Sequence, residues 1–571
     1  MSQFFKAAGL AITIAITAGA SAQQDKKNNR ADVPKGWHLL DNTKDGFSGI
    51  SIDKAYEFIK AKNLKGKTVI VAVIDSGIDT LHEDLKDVLW RNPKEIPGNN
   101  KDDDSNGYID DVFGWNFIGG KDGRNVKSDS YEGARVYHKL KVKFAGKSID
   151  PSVLSIDELE EYNTWLKAKK KIEGQGATTG VDIPTLRRIY NTTILQDSVL
   201  RQDMGKDTYT GNDLDSYQPK SEDAKKAKRS VLYAMKTFQV MELTNKQFLE
   251  DFNSELTGEE TKAETKIRPP KDYRAEIVGD NEEDINDRFY GNPDVMASTP
   301  FHGTHVAGII GAARKNGKGI DGIADNVRIM MLRAVPDGDE HDKDIALAIR
   351  YAVDNGAKVV NMSFGKDFSP QKHWVDDAVK YAEQKGVLLV HAAGNDAKNI
   401  DTMDNYPNAI LKSLNRKASN WITVGASGDE KAGGITASFS NYGKDQVDVF
   451  APGVRIYSTI PGGNTYGNAQ GTSMASPVVA GAAAFLLSYF PYLTPQQVKY
   501  SLEKSAIMPS AKIRKPGVDE MVELASISKT GGVINAYEAA KIAATLVPES
   551  RSIPERKAPK APKAILSNKR G

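Results

Sequence analysis

The stretch DKDIALAIRYAVDNGAKVVNMSFG, residues 342–365, decides how this chain folds. Its first half spaces apolar residues as a helix does, Gly356 stands where that helix must end, and AKVVNMSFG continues as a strand with little polar alternation. The pattern returns at once. WVDDAVKYAEQK, residues 374–385, is again an amphipathic helix, Gly386 again closes it, and VLLVHAAGN, residues 387–395, is the next strand. Far upstream, KTVIVAVIDSGID, residues 67–79, holds an unbroken apolar run from Val69 to Ile74 that stops at Asp75. Such runs mark strands buried on both faces of a parallel sheet. Helix and strand in alternation predict an α/β fold, a central mostly parallel β-sheet with helices on both faces, whose ligand site lies at the carboxyl ends of the strands. Asp75, Ser363 and Asn395 fall at such ends.

The two termini read differently from this body. In residues 1–22, Lys6 precedes the apolar run AAGLAITIAITAGA, and Ala20-Ser21-Ala22 supplies the small residues of a cleavage site, so a removed export signal is expected. The run is shorter than the roughly 20 residues a spanning helix needs, and no later segment is expected to cross a bilayer. Residues 23–35 read as a flexible leader, and residues 546–571, basic and proline-bearing, as a solvated tail. The composition, 39% hydrophobic and 27% charged with a net charge of +2, is that of a globular protein and gives no reason to expect a nucleic acid partner. The absence of cysteine excludes disulfides, thiol catalysis and a cysteine-borne lipid anchor.

Between about residues 121 and 277 the helix–strand rhythm is lost, and the segment reads as a helical insertion in a body that spans residues 36–545. Ser155 with Glu158, and Thr244 with Gln247, have the spacing of capping boxes that open helices. Trp165, Leu166, Leu232, Tyr233, Met235 and Phe238 are the expected core of that insertion.

Ser473, in QGTSMASPVVAGAAAFLL, sits at the start of a helix rich in small residues. There its hydroxyl is reachable and the helix dipole favours negative charge, although a serine in that place is more often a cap. A nucleophilic serine needs a base, and the chain has eight histidines. In FHGTHVAGIIGAA, residues 301–313, His302 opens a helix whose glycines and alanines permit close packing, and Asp75 can hold the imidazole in its working tautomer. The rival reading, a metal shared by His302 and His305, lacks the glutamate and the four-residue spacing of zinc hydrolases.

Three motifs together, VIDSGID around Asp75, HGTHVAG around His302 and GTSMASP around Ser473, resemble those of the subtilisin-family serine peptidases, the subtilases, of the bacterial exported type. The order Asp, His, Ser is the subtilisin order. ASFSNYG, VDVFAPG and GGVINAYEAA extend the resemblance from about Trp37 to Ala544, outside the insertion. It implies a subtilisin-like fold and a catalytic triad of Asp75, His302 and Ser473. It also implies an oxyanion hole at Asn395, which ends VLLVHAAGN, and a substrate-pairing segment at Ser363, Phe364 and Gly365. His305 is then structural.

Departures from the family pattern are Val478 after the serine motif, His391 at a position where a small apolar residue is usual, and the long stretch between Asp75 and His302. Residues 23 to about 50 are too few for the family's propeptide domain. His391 either reshapes the pocket for the residue before the cut or points elsewhere. The insertion is expected beside the cleft, restricting access to extended peptides or loops, or else as a stabilising appendage. KDDDSNGYIDD, residues 101–111, opens like a calcium loop at Asp102, Asp104 and Asn106, but Phe113 stands where the loop's bidentate glutamate belongs. The stretch reads either as a structural calcium site or as an acidic Asx-rich turn, with no cofactor or metal required for the chemistry. The resulting expectation is an exported endopeptidase, periplasmic or extracellular, acting on protein or peptide substrates. A catalytically inactive binding relative and a metallohydrolase are the alternatives.

Overall fold

A computed structural model describes residues 33–174, 183–237, 240, 241, 243–297, 300–432 and 434–546. The expected export signal, most of the leader, the basic tail after Leu546 and Phe238 lie outside the described residues. Seven strands form one sheet: β1 (Val69–Asp75), β2 (Gly114–Asn116), β3 (Val327–Arg333), β4 (Val359–Met362), β5 (Leu388–Ala392), β6 (Trp421–Ser427) and β7 (Val449–Pro452). All pairs are parallel, in the order β2-β3-β1-β4-β5-β6-β7. Alternate side chains of β1 enter two separate cores: Val69, Val71 and Val73 on one face, Ala72 and Ile74 on the other.

Helix α1 (Ile52–Ala61) precedes the sheet, and the stretch between β2 and β3 carries α2 (Glu132–Phe144), α3 (Ile156–Gly174), α4 (Ile183–Met204), α5 (Gly211–Ser216), α6 (Glu222–Thr237), α7 (Asn245–Glu264) and α8 (Phe301–Gly311). After β3 come α9 (Asp342–Asp354), α10 (Lys372–Lys385), α11 (Thr472–Tyr489), α12 (Pro495–Lys504) and α13 (Ala536–Ala543). Helices α8, α11 and α13 cover the Val71 face, and α9 and α10 cover the Ile74 face. The expected α/β architecture is therefore the one found. Gly386 ends α10 in the left-handed conformation, φ 71°, which its lack of a Cβ permits. Helix α11 is long and apolar enough to cross a membrane, yet 83% of it is buried inside the protein.

The helices from α2 to α7 build two small cores. Leu186, Leu200, Tyr209, Val231, Met235 and Phe248 form one. In the other, Ala134, Val136, Tyr137, Ala168 and Ile172 surround Phe368, a residue that follows β4 in the sheet body. Both capping boxes form: Ser155 exchanges hydrogen bonds with Glu158, and Thr244 does so with Gln247. Two of the expected core residues are not in it. Leu166 is 41% and Tyr233 47% exposed, because each helix buries one narrow stripe, Trp165, Ala168 and Ile172 on α3 and Ala227, Val231 and Met235 on α6.

Phe368 is 6% exposed and joins the α2–α3 hairpin to the sheet body. Phe368→Ala should cost about 3 kcal/mol by loss of transfer and cavity energy. A lowered denaturant midpoint at unchanged slope checks it, and an unchanged midpoint would refute the role.

Candidate active site

Asp75 ends β1, paired in register with Arg333 of β3, and its carboxylate lies almost wholly inside the protein. The Ser76 amide donates to Asp75 Oδ1 over 2.8 Å. His302, the second residue of α8, donates from Nδ1 to the same Oδ1 over 2.7 Å. The helix comes this close because Gly303 has no side chain: a Cβ there would lie 2.1 Å from the Gly77 carbonyl oxygen and 3.2 Å from Asp75 Cβ. Burial alone would hold the imidazolium down, but the Asp75 charge and hydrogen bond outweigh it and raise the His302 pKa above its ordinary value. The ring is 31% exposed, so its other nitrogen can meet a reactant.

The two histidines of HGTH do different things. His305 is fully buried, with Nε2 3.1 Å from the Gly467 carbonyl, and burial pushes its pKa down to about 4. It is a neutral packing residue. Among the described residues, neither ring joins a group that could share a metal.

Ser473 is the second residue of α11, and Gly471 occupies the cap position, so the hydroxyl is not spent on capping. It donates instead to the Ser363 carbonyl over 3.0 Å, while the Ser363 hydroxyl donates to the Ser473 carbonyl over 2.9 Å. Buried Asn361 steadies the pair, donating to Ser363 Oγ over 3.0 Å and accepting from Ser476 Oγ over 2.8 Å. The end of β4 and the start of α11 are thereby stitched together.

Asn395 follows β5, the strand next to β4. Its Oδ1 accepts from the Thr472 amide over 2.9 Å and from the Thr472 hydroxyl over 3.0 Å. A backbone N–H can only donate, so the amide oxygen must face Thr472 and the NH2 group must face away. A Cβ on Gly471 would sit 3.4 Å from Asn395 Nδ2 and 3.5 Å from the Ser473 amide nitrogen. Gly471 adopts φ 152°, and the space beside it is flanked by the Asn395 side-chain amide and the Ser473 backbone nitrogen. Such a pair can hold a developing oxyanion.

Thr472 and Asn441 are functional supports that the sequence reading did not single out. Thr472 is buried and also accepts from the Gly394 amide over 3.0 Å. Asn441 donates to the Ala393 carbonyl over 2.8 Å and accepts from the amides of Asp396 and Lys398, which fixes the turn that carries Asn395. Both lie inside the quoted motifs, with nothing local to set them apart from the other polar residues there.

Ser363, Phe364 and Gly365 leave the end of β4 beside Ser473, with Gly365 exposed. His391 lies beneath them: it is buried, its Nε2 donates to the Phe364 carbonyl over 2.8 Å, and its ring centre is 5.4 Å from that of Trp421. Burial pushes its pKa down to about 4, so it acts as a neutral donor that fixes Phe364 from inside.

The acidic loop does gather carboxylates, but with a different membership. Glu95, Asp102 and Asp104 bring ligand atoms within 4.8 Å of one another, a set that suits a hard cation. Asn106 lies in the same loop, where its oxygen accepts from the Tyr108 amide over 2.7 Å and its nitrogen donates to Asp111. Glu95 comes from a preceding turn that no loop motif could reveal.

The sequence model of the subtilase family matches residues 66–532, a range that contains Asp75, His302, Asn395 and Ser473. The chain belongs to the subtilase family. This subtilase is 46% identical over 188 residues to the thermophilic serine proteinase of Bacillus sp. (strain AK1), a match covering 33% of this chain and 42% of that protein. The cell wall-associated protease of Bacillus subtilis (strain 168) is 35% identical over 234 residues, or 41% of this chain and 24% of that one. Subtilisin DY of Bacillus licheniformis is 39% identical over 207 residues, covering 36% of this chain and 70% of the relative. The chain thus spans less than half the length of the first two.

The raised His302 pKa means that the stability contributed by its pairing with Asp75 is complete below the unfolded-state value of about 6.5 and is lost as pH rises through the folded value. Asp75→Asn leaves the burial and removes the charge, so His302 should then titrate below 6.5. Imidazole NMR titration of both proteins reads the change, and equal pKa values would contradict this account.

Proposed function

We propose that this subtilase is an exported serine endopeptidase that cuts peptide bonds through an acyl-enzyme on Ser473. The observation that carries the reading is the His302–Asp75 hydrogen bond of 2.7 Å, which makes a partly exposed imidazole more basic, in a chain whose Ser473 hydroxyl caps no helix. For reaction, the Ser473 hydroxyl turns from the Ser363 carbonyl to His302 Nε2. The oxygen then attacks the scissile carbonyl as Nε2 takes its proton, and Asp75 stabilises the imidazolium. The oxyanion forms between Asn395 Nδ2 and the Ser473 amide. Collapse expels the amine, which receives the proton from His302, and water, activated by the same nitrogen, releases the acid. The segment Ser363, Phe364 and Gly365 pairs with the substrate backbone.

Export agrees with the apolar amino-terminal segment and with the name of the cell wall-associated relative. The working chain is organised as a catalytic body of residues 36–545 interrupted by the helical stretch of about 121–277. Glu95, Asp102 and Asp104 hold a structural calcium that takes no part in the reaction. A chelator should therefore lower the melting temperature by several degrees while leaving the active-site serine reactive. An unchanged melting curve removes the calcium.

A fluorophosphonate should label the wild-type protein on Ser473, and Ser473→Ala should abolish labelling and reduce kcat on a peptide by roughly a millionfold. Asn395→Ala should lower kcat on the order of 100- to 1000-fold with little change in KM. A folded wild type that neither labels nor cleaves would identify an inactive binding relative. Cleavage that a chelator abolishes and fluorophosphonate leaves untouched would identify a metallohydrolase.

A further inference from the structure

Three consecutive residues just beyond the exposed Gly365 are each held by the helical segment. Lys366 has a side chain only 1% exposed, and its ammonium meets Glu132 Oε2 of α2 at 2.9 Å, Asp342 Oδ1 of α9 at 2.9 Å and the Glu340 carbonyl at 2.7 Å. Those partners match the three hydrogens an ammonium can donate. Asp367 is paired with Lys171 of α3. Phe368 is packed between α2 and α3. The Lys366 backbone is fixed as well, exchanging two hydrogen bonds of 2.9 Å with Tyr406. At the other end of the short segment, Ser363 is bound to Ser473. The backbone from Ser363 to Gly365 is therefore stretched between the nucleophile and an anchor that the helical segment completes.

Glu132 is itself tightly placed. Its amide donates to Asp339 Oδ2 over 2.8 Å and its carboxylate takes Arg135 Nη2 at 2.8 Å. A buried cation that loses one carboxylate from its surroundings must move or recruit water, so the anchor depends on Glu132.

We infer that Lys366, with Glu132, is a positioning residue that holds the Ser363–Gly365 backbone straight for extended peptide substrates, so that the helical segment helps determine which substrates bind. The inference rests on the peptidase reading above, in which that backbone pairs with substrate. An edge of main chain contributes affinity to a peptide only when it is already in the bound conformation. A substrate too short to lie along the edge gains nothing from it.

The test compares the full-length wild type with Glu132→Gln, which keeps size and removes charge, and with Glu132→Asp, which restores it. Each is assayed on an octapeptide and on a single-residue p-nitrophenyl ester, with the fluorophosphonate labelling rate measured alongside. Glu132→Gln should raise the octapeptide KM about tenfold with kcat nearly unchanged, while the ester KM and labelling stay within about twofold. Glu132→Asp should recover part of the octapeptide KM. Equal losses on both substrates, or an unchanged octapeptide KM in folded protein, overturn the inference. Should Glu132→Gln fail to fold, Asp367→Asn tests the same anchor at its half-buried end, with an expected rise in octapeptide KM of about threefold and no rise overturning it. A wild type inert to both substrates and to the label sinks the peptidase reading as well, whereas an active wild type with an indifferent Glu132→Gln sinks the positioning role alone.

Discussion

Helix α11 carries Ser473 at its amino end and is apolar on nearly every side, so it must be enclosed, and the surfaces that enclose it determine where every other reacting group can stand. The strands β4 to β7 lie along one side of it, and α8 and α13 lie along the other. Because the sheet is parallel, all its carboxyl ends face the same way, towards the start of α11. Asp75, Ser363 and Asn395 arrive at that end on three different strands. The small residues of α8 then let His302 come in from the side.

Charge is handled by two different means near this centre. At Asp75 and His302, one buried carboxylate faces one imidazole, and the net effect is a more basic ring on a partly exposed side chain. At the seam with the helical segment the charges are numerous and paired. Arg274, in the short helix Tyr273–Ile277, meets Asp344 at 2.6 Å and Asp280 at 2.9 Å, and Lys343 meets Asp280 at 2.6 Å. Such clusters add little net stability over an apolar contact, but they are costly to break one partner at a time. They give the segment a single seat on α9, close to the Lys366 anchor.

Much of this was readable in the residues. Helix, glycine, buried strand, repeated, is a pattern that hardly any architecture but a parallel α/β sheet satisfies, and each chemistry-bearing residue stood in a short motif at a strand end or helix start. The supports were harder to read. Thr472 and Asn441 act through hydrogen bonds to residues far away in the chain, and nothing local marks a threonine or an asparagine as holding another residue's amide in place. Glu95 joins Asp102 and Asp104 only because a separate turn folds over the acidic loop. Leu166 and Tyr233 misled because composition counts apolar residues, whereas burial depends on which stripe of a helix faces its neighbour.

The sequence by itself determined the fold class, the family and the short motifs that hold the candidate reacting residues, since periodicity and short motifs are local properties of a chain. Only the tertiary structure decided that His391 steadies Phe364 from inside, and that the helical segment reaches the end of β4 through Glu132 and Lys366. Those are facts about distance and burial between positions that the fold brings together from different elements, and no local pattern encodes them.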